Sequence, residues 1–143
     1  MENKFHTYVK KIDRTLNTSG SNASSLGEFE QGRPMIEKIK AEHPEYKVLL
    51  TFFSPSGYEV RKNYKGADVI CYLPFDTPFR VKKFLNLANP RSPYLIKYEF
   101  WGNYLRELRK RGIPVYIISA IFRPDQLFFQ WFGKPYRKNA ILF

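Results

Sequence analysis

The sequence predicts an α/β fold with a Rossmann-like, doubly wound parallel sheet flanked by helices. Short apolar runs rich in β-branched and aromatic residues alternate with segments of helical periodicity, and the connections between them are short. Strands that alternate with helices in this way form parallel sheets through right-handed crossovers. The first and last apolar runs, KVLLTFF and VYIIS, are nearly continuous, as expected for strands covered by helices on both faces.

Four strands are predicted, at residues 47–53, 69–73, 94–98 and 115–119. Three helices are predicted, over residues 32–43, after Thr77 and over residues 101–108. Pro34 lies either in the first turn of the first helix or within a helix that starts earlier. Pro78 suits the first position of the second helix, and Gly112 is a typical stop signal for the third.

The first 23 residues are predicted to differ from the rest. Apolar residues from Phe5 to Leu16 recur at helical spacing, so this segment is expected to form one amphipathic helix. The segment Thr18–Ala23 (TSGSNA) is typical of a flexible linker, and its SNA part resembles the scar left by tag removal. We therefore expect the folded domain to span residues 24–143, with no strand ahead of its first loop.

The net charge of +11 indicates an anionic partner such as nucleic acid, anionic lipid or a phosphorylated substrate. No stretch approaches the ~20 consecutive apolar residues of a membrane span, and no signal peptide is evident. The single cysteine, Cys71, excludes an intramolecular disulfide, and His6 and His43 lie too far apart for a recognisable metal-ligand spacing. The glycine-rich fingerprints of nucleotide binding are also missing. Neither a metal nor a cofactor is predicted, and a reduced, cytoplasmic setting is favoured.

The loops after the strands are the candidate sites, because ligands bind outside the carboxyl ends of the strands in doubly wound sheets. Ser25 and Glu28 match a capping box, in which each side chain accepts a backbone N–H of the other residue. The SPSG segment at residues 54–57 is either an ordinary turn or the start of a helix whose N–H groups receive an anion. Glu99 ends an apolar strand, where a carboxylate must be solvated, paired or functional, and Arg123 is a candidate partner.

Four motifs together resemble the 3-deoxy-D-manno-octulosonic acid (Kdo) transferases, particularly those of Bacteroides-like bacteria. The motifs are ASSLGEFE at residues 23–30, TFFSPSG at 51–57, YLPFD at 72–76 and KYEFWGN at 97–103. The likeness runs in consistent order from about residue 24 to about residue 132. Four linked motifs are far more specific than any one of them.

The resemblance implies the amino-terminal, acceptor-binding half of a GT-B glycosyltransferase, which has two Rossmann-like domains facing a cleft. Such an enzyme moves Kdo from its cytidine monophosphate derivative, CMP-Kdo, to the phosphorylated glucosamine disaccharide of a lipid A precursor in lipopolysaccharide biosynthesis. Glu28 would be the general base that takes the proton of the attacking sugar hydroxyl. The residues expected to line the acceptor site are Ser54, Ser56, Gly57, Glu99, Asn103 and Arg123.

By the same resemblance the protein would act as a peripheral enzyme on the cytoplasmic face of the bacterial inner membrane. Basic side chains backed by aromatic rings suit an anionic lipid surface. The candidates are Arg80, Lys82, Lys83, Arg109, Lys110 and Arg111, together with Phe128, Phe129 and Trp131. Taken one by one, the basic residues are better explained as solvated helix faces, and the aromatic run is equally explained as a contact with another domain.

Three features depart from the family pattern. Residues 18–22 occupy the position of an apolar strand that usually runs into the first motif, so the loop of Glu28 is expected to lack its anchor. Gly102 replaces the usual proline and is expected to loosen the loop of Glu99. The chain ends before the second domain, where CMP is expected to bind, so no transferase activity is expected from this chain alone.

Two other interpretations stay open. A non-catalytic basic module that binds nucleic acid or an anionic membrane surface would also explain the charge and the interleaved aromatic residues. A chain that lacks a strand could pair with a second copy through its uncovered sheet edge. The resemblance favours the transferase, with the lipid A precursor and CMP-Kdo as partners and without nucleic acid.

Overall fold

Strands and helices alternate throughout the computed structural model, which describes the backbone of residues 18–23 and all of residues 25–96 and 101–118. The order is β1 (Thr18–Ala23), α1 (Leu26–Glu42), β2 (Lys47–Phe52), α2 (Pro55–Arg61), β3 (Val69–Tyr72), α3 (Pro78–Ala88), β4 (Ser92–Ile96), α4 (Gly102–Lys110) and β5 (Tyr116–Ile118). Within this described part the strands form one sheet in the order β3-β2-β1-β4-β5, with every neighbouring pair parallel. The predicted α/β class with a parallel sheet is confirmed.

The chain builds this sheet outward from its centre in two directions. It passes from β1 to β2 and β3 on one side, then returns to add β4 on the other side of β1 and β5 beyond it. Buried residues of α1 pack with one face of the sheet, and those of α3 and α4 pack with the other. This is the doubly wound arrangement, and its topological switch point lies between β1 and β4.

Alternate residues of β2 show how the two faces are covered. Val48, Leu50 and Phe52 pack with the cluster under α1, whereas Leu49 belongs to the cluster under α3 and α4. Each of these four side chains is at most 2% exposed. Burying such a side chain contributes about 1.5–3 kcal/mol relative to leaving it exposed. The continuous apolar run in the sequence therefore reflects a strand that is covered on both sides.

Strand β1 is the largest difference from the prediction. The segment Thr18–Ala23, predicted to be a flexible linker, is the central strand of the sheet. It pairs with β2 along its whole length and with β4 over four residues. Its small, mostly polar residues carry no strand signal, and backbone pairing with two neighbours supports it instead. The predictions that a strand is missing here and that the loop of Glu28 lacks an anchor are wrong.

The position of β1 also changes two related predictions. The sheet begins at Thr18 rather than after residue 23, while the predicted helix from Phe5 to Leu16 lies outside the described residues. The prediction that two copies pair depends on a missing strand, and β1 removes that reason. Within the described residues β3, at the other side of the sheet from β5, is four residues long, and such a short edge offers little to a partner strand. Self-association stays a prediction without this support.

The helix ends follow local sequence signals. Helix α1 begins at Leu26, after its cap Ser25, and continues through Pro34, so of the two predicted alternatives the helix with an earlier start is confirmed. Residues 54–57 lead into a helix, since Pro55 is the first residue of α2. Binding of an anion at this helix start stays a prediction. Helix α3 begins at Pro78, as predicted.

The predicted stop of α4 at Gly112 is confirmed as a Schellman motif. Gly112 has a φ of 66°, a left-handed conformation that favours glycine. Its N–H donates to the carbonyl of Arg109 at 2.9 Å, and the N–H of Ile113 donates to the carbonyl of Leu108 at 3.0 Å. These two bonds satisfy carbonyls that would otherwise lack partners at the helix end.

Asp68 joins three elements at the amino edge of the sheet, opposite the candidate site. Its carboxylate accepts hydrogen bonds from Lys40 Nζ at 2.6 Å, Lys47 Nζ at 3.4 Å and the backbone N–H of Val48 at 2.8 Å. Partial burial by itself would raise the pKa of Asp68. The hydrogen bonds from Lys40 and Val48 outweigh burial and hold the pKa below its ordinary value.

Asp68→Asn is expected to lower the free energy of unfolding by about 1 kcal/mol at neutral pH, because the ion pairs at this edge are lost. Since the folded-state pKa is depressed, this stabilisation is present above the unfolded-state pKa of about 4 and disappears as pH falls through the folded-state value. Urea unfolding across that range should show the two proteins converging in acid.

Glu59→Gln is the control, because the pair that Glu59 forms among the described residues, with Lys62, is exposed. It is expected to change the free energy of unfolding by less than about 0.5 kcal/mol at any pH. A deficit of Asp68→Asn that stayed constant through acid pH would contradict the assigned role.

Candidate active site

The candidate site lies at the carboxyl edge of the sheet, where the ends of β1, β2 and β4 meet. Parallel strands end at the same edge, and the switch point between β1 and β4, where doubly wound sheets bind ligands, lies there. Glu28 follows β1, and Ser54, Ser56 and Gly57 follow β2. Strand β4 ends at Ile96, ahead of Glu99. Glu99 and Arg123 themselves lie outside the described residues.

Glu28 is the third residue of α1 and forms the capping box that its spacing predicts. Its Oε2 accepts the N–H of Ser25 at 3.3 Å, and its own N–H donates to Ser25 Oγ at 3.4 Å. Both distances exceed the usual 2.7–3.2 Å for N–H···O bonds. The capping box is therefore confirmed as a pair of long hydrogen bonds on a half-buried carboxylate. The role of Glu28 as a general base stays a prediction.

The two serines after β2 contact each other. Ser54 Oγ lies 2.7 Å from Ser56 Oγ, and Ser54 precedes α2 without a side-chain capping bond to that helix. Both hydroxyls lie at the carboxyl edge, and Ser56 is exposed. The contact of the two serines with a substrate stays a prediction.

Gly57 brings the start of α2 against the start of α1. A Cβ atom at Gly57 would lie 2.7 Å from Phe52 Cδ1 and 3.3 Å from the backbone nitrogen of Leu26. The close approach thus requires a residue without a side chain. As a result the segment that carries Glu28 and the segment that carries Ser54 are neighbours in the structure, as the sequence predicts for one site.

Asn103 is bound within the fold. Its Nδ2 donates to the carbonyl oxygen of Asp76 at 2.7 Å, and its Oδ1 accepts from Arg106 at 3.1 Å. Asp76 was not among the predicted site residues, although it ends the YLPFD motif. The sequence signal that could have indicated Asp76 is a carboxylate in a loop that follows a predicted parallel strand.

Three aromatic residues form a cluster at this edge, which we call the edge aromatic cluster (Phe53, Phe75 and Trp101). The ring centroid of Phe53 lies 5.6 Å from that of Phe75 and 4.7 Å from that of Trp101. Phe75 is 60% exposed, and the Arg80 guanidinium lies 5.8 Å from its ring centroid. Phe79, in the first turn of α3, is 75% exposed. Sequence analysis missed this cluster because its rings come from three separate loops.

The basic residues predicted to contact a membrane separate into two groups. Arg80, Lys82, Lys83, Arg109 and Lys110 are exposed. Arg111 instead joins α4 to α3, because its Nη2 donates to Glu107 at 2.9 Å and to Asn86 at 2.7 Å. Phe128, Phe129 and Trp131 lie outside the described residues.

The described part of the chain bears on three other features: a reactive thiol, a metal site and a membrane-spanning helix. Burial raises the pKa of the Cys71 thiol to about 12, so the thiol is inert, as predicted. Within residues 25–96 and 101–118, no three His, Cys, Asp or Glu side chains group closely enough to hold a metal ion. None of the described helices has the length and apolar character needed to span a membrane.

Gly57→Ala is expected to destabilise the protein by about 1–3 kcal/mol, because the added methyl group overlaps the Phe52 ring. Phe52 is fully buried. Gly27→Ala is the matched control, since a Cβ there meets no described atom within 4 Å and Gly27 also lies in a first helical turn. The control is expected to raise stability by about 0.5–1 kcal/mol. Thermal unfolding measures both, and equal effects would contradict the packing argument.

Comparison with known proteins identifies the family. The chain matches the family model described as 3-deoxy-D-manno-octulosonic-acid transferase (kdotransferase) over residues 12–141. Proteins named 3-deoxy-D-manno-octulosonic acid transferase from Haemophilus influenzae and Aquifex aeolicus are 32% identical over 99 residues and 37% identical over 83 residues. A protein of the same name from Bordetella pertussis is 30% identical over 111 residues.

These alignments cover 68%, 57% and 73% of the chain, but only 23%, 23% and 26% of the respective relatives. The chain thus spans about a quarter of the length of the curated relatives it matches. A particular likeness to Bacteroides-like enzymes stays a prediction. The α/β fold agrees with the amino-terminal part of a GT-B glycosyltransferase. Because the family match covers most of the sequence, the chain belongs to the Kdo transferase family.

Proposed function

We propose that this chain is the acceptor-binding domain of a glycosyltransferase that moves Kdo from CMP-Kdo to the phosphorylated glucosamine disaccharide of a lipid A precursor. One observation carries the proposal: Glu28 follows the central strand at the switch point, in contact range of the segment that begins α2. Ligands of doubly wound sheets bind at this point. Family membership supplies the reaction.

In the proposed reaction Glu28 acts as the general base. The acceptor hydroxyl oxygen bonds to the anomeric carbon of Kdo while the bond from that carbon to the CMP phosphate oxygen breaks. CMP leaves with the electron pair, and the hydroxyl proton moves to the Glu28 carboxylate. General base catalysis requires the carboxylate to lie within hydrogen-bond reach of that hydroxyl and to be ionised.

The capping box is compatible with this role on energetic grounds. Losing a helix cap costs about 0.5–2 kcal/mol, and the observed bonds are long. A rate gain of ~100 to 10,000-fold from general base catalysis corresponds to roughly 3–5 kcal/mol. Replacing the hydrogen bond from the Ser25 N–H by one from an acceptor hydroxyl would therefore cost less free energy than general base catalysis gains. Before the acceptor binds, the capping bond keeps the carboxylate at the carboxyl edge.

The proposal includes contact with the cytoplasmic face of the inner membrane. Arg80, Lys82 and Lys83 are exposed on α3, and within the described residues no carboxylate lies at ion-pair distance from them. Phe75 and Phe79 expose their rings next to these cations. Cations beside exposed rings suit a phosphorylated lipid, whose anionic head and apolar chains are adjacent.

The remaining steps are proposed from the family alone. CMP is expected to bind in the second Rossmann-like domain, and transfer is expected to need that domain. A basic module that binds nucleic acid remains the alternative, and the net charge of +11 is the observation in its favour.

Glu28→Gln, made in a full-length relative that carries the same Ser-x-x-Glu pair, is expected to reduce Kdo transfer by ~100 to 10,000-fold. Glutamine keeps the capping bond to the backbone of the serine but does not accept a proton. The rate constant with saturating acceptor and CMP-Kdo is the measurement.

Ser25→Ala is the companion variant, because it removes the other half of the capping box and leaves the carboxylate. It is expected to cost about 1 kcal/mol of stability in this chain and to keep most of the transfer rate in the relative. Full activity of Glu28→Gln would leave Glu28 with its capping role alone.

The chain itself is expected to bind vesicles that contain a phosphorylated glucosamine disaccharide lipid more tightly than single-stranded oligonucleotides. Replacing Arg80, Lys82 and Lys83 by glutamine should weaken vesicle binding on the order of 100-fold, at about 1 kcal/mol for each charge lost near an anionic surface. Replacing Lys38, Lys62 and Lys65 changes the net charge equally and is the control. Tighter oligonucleotide binding with a steep salt dependence would favour the alternative.

A further inference from the structure

We infer that Asp76 is a positioning residue for the acceptor-binding edge: its carboxylate caps α4 from a separate loop and thereby fixes Asn103 and the edge aromatic cluster. The inference rests on the proposed function for the identity of the ligand. The contacts themselves do not depend on it.

Helix α4 has no cap of its own. Trp101 precedes its first residue and makes no side-chain capping bond. The first N–H groups of a helix lack partners within the helix and need an acceptor from elsewhere. Asp76 provides it, since the N–H of Asn103 lies 3.1 Å from both carboxylate oxygens and the N–H of Tyr104 lies 3.2 Å from Oδ1. A negative charge is also favourable at a helix amino terminus.

Two more hydrogen bonds join the same segments. Asn103 Nδ2 donates to the Asp76 carbonyl at 2.7 Å, and the Tyr104 hydroxyl donates to the Pro74 carbonyl at 3.0 Å. Burial and then the negative charge of Asp76 raise the pKa of Tyr104, so this phenol stays protonated and keeps donating. Hydrogen bonds therefore join the loop after β3 to the start of α4, and both segments contribute main-chain and side-chain groups to them.

This connection joins two segments that follow distant strands. Strands β3 and β4 are separated in the sheet by β2 and β1, a distance of about 14 Å at the usual strand spacing. The loop after β3 and the start of α4 are nevertheless hydrogen-bonded to each other. Phe75 precedes Asp76 and contacts Phe53, which in turn packs on Trp101. Asp76 follows Phe75 in the sequence and caps the helix that begins after Trp101. Its hydrogen bonds thus restrain the backbone that carries the two outer rings of the edge aromatic cluster.

The first residue of α4 adds little constraint of its own. Gly102 is that residue, and among the described residues a Cβ there would meet nothing within 4 Å. Glycine leaves this backbone more freedom than a proline would. The cap from Asp76 therefore acts on the start of α4 together with the packing of Trp101 against Phe53 and the core.

The test compares Asp76→Ala and Asp76→Asn with Asp68→Ala in this chain. Asp68 is the matched control, because it also accepts a backbone N–H, but at the opposite edge of the sheet. Trp131→Phe in all variants leaves Trp101 as the single tryptophan. The readouts are acrylamide quenching of Trp101, amide hydrogen exchange at Asn103 and Tyr104, and binding to vesicles with the phosphorylated glucosamine lipid.

Asp76→Ala is expected to increase quenching of Trp101, to speed exchange at the two amides at least tenfold and to weaken vesicle binding about tenfold. Asp76→Asn is expected to restore most of each property, because an amide oxygen accepts the same backbone bonds. Asp68→Ala is expected to lower stability while leaving all three readouts unchanged. Should Asp76→Ala fail to fold, Asp76→Ser, with its shorter acceptor, is expected to give intermediate values.

Two results separate this inference from the proposed function. If quenching and exchange in Asp76→Ala match those of the chain that carries Trp131→Phe alone, the positioning role is overturned, whatever the change in stability. If the unaltered chain does not bind the lipid, the proposed acceptor fails, while quenching and exchange still decide whether Asp76 positions this edge.

Discussion

Backbone pairing of the central strand is the interaction on which the rest of the structure depends. Strand β1 hydrogen-bonds to β2 on one side and to β4 on the other, although its sequence, TSGSNA, offers no large apolar side chain. Without it the two halves of the sheet would not be joined, and no switch point would exist. The chain leaving β1 leads directly into the capping box of Glu28. The candidate site therefore depends on the strand that has the weakest sequence signal.

Polar contacts at helix starts organise the carboxyl edge together with the edge aromatic cluster. Ser25 and Glu28 cap α1 locally, Gly57 permits α2 to approach it, and Asp76 caps α4 from a distance. Backbone N–H groups at the starts of helices need acceptors, and the loops after parallel strands bring those acceptors to one edge. The groups that stabilise the helix starts thus lie at the same edge as the candidate site. This coupling explains how a capping carboxylate and a proposed catalytic carboxylate come to be one residue.

In the described residues the cationic side chains fall into two groups, those paired with carboxylates and those exposed at the surface. Arg111, Lys40 and Lys47 neutralise carboxylates within the fold, whereas the cations at the start of α3 remain exposed beside aromatic rings. The first group contributes to stability, and the second is available to a ligand. A net charge of +11 alone does not distinguish these uses, which require the positions of the partners.

The sequence by itself determined the α/β class, the capping box at the start of α1, the proline at the start of α3 and the glycine stop of α4, because each depends on residues within a few positions of one another. It also determined the family, through motifs that lie in the loops after the strands. Only the tertiary structure decided that Thr18–Ala23 is a strand, since its hydrogen bonds come from residues far along the chain. The same holds for the bonds between Asp76 and Asn103, which are 27 positions apart. Hydrogen bonds between residues far apart in the chain leave no periodic pattern in either segment, so a short stretch of sequence does not indicate them.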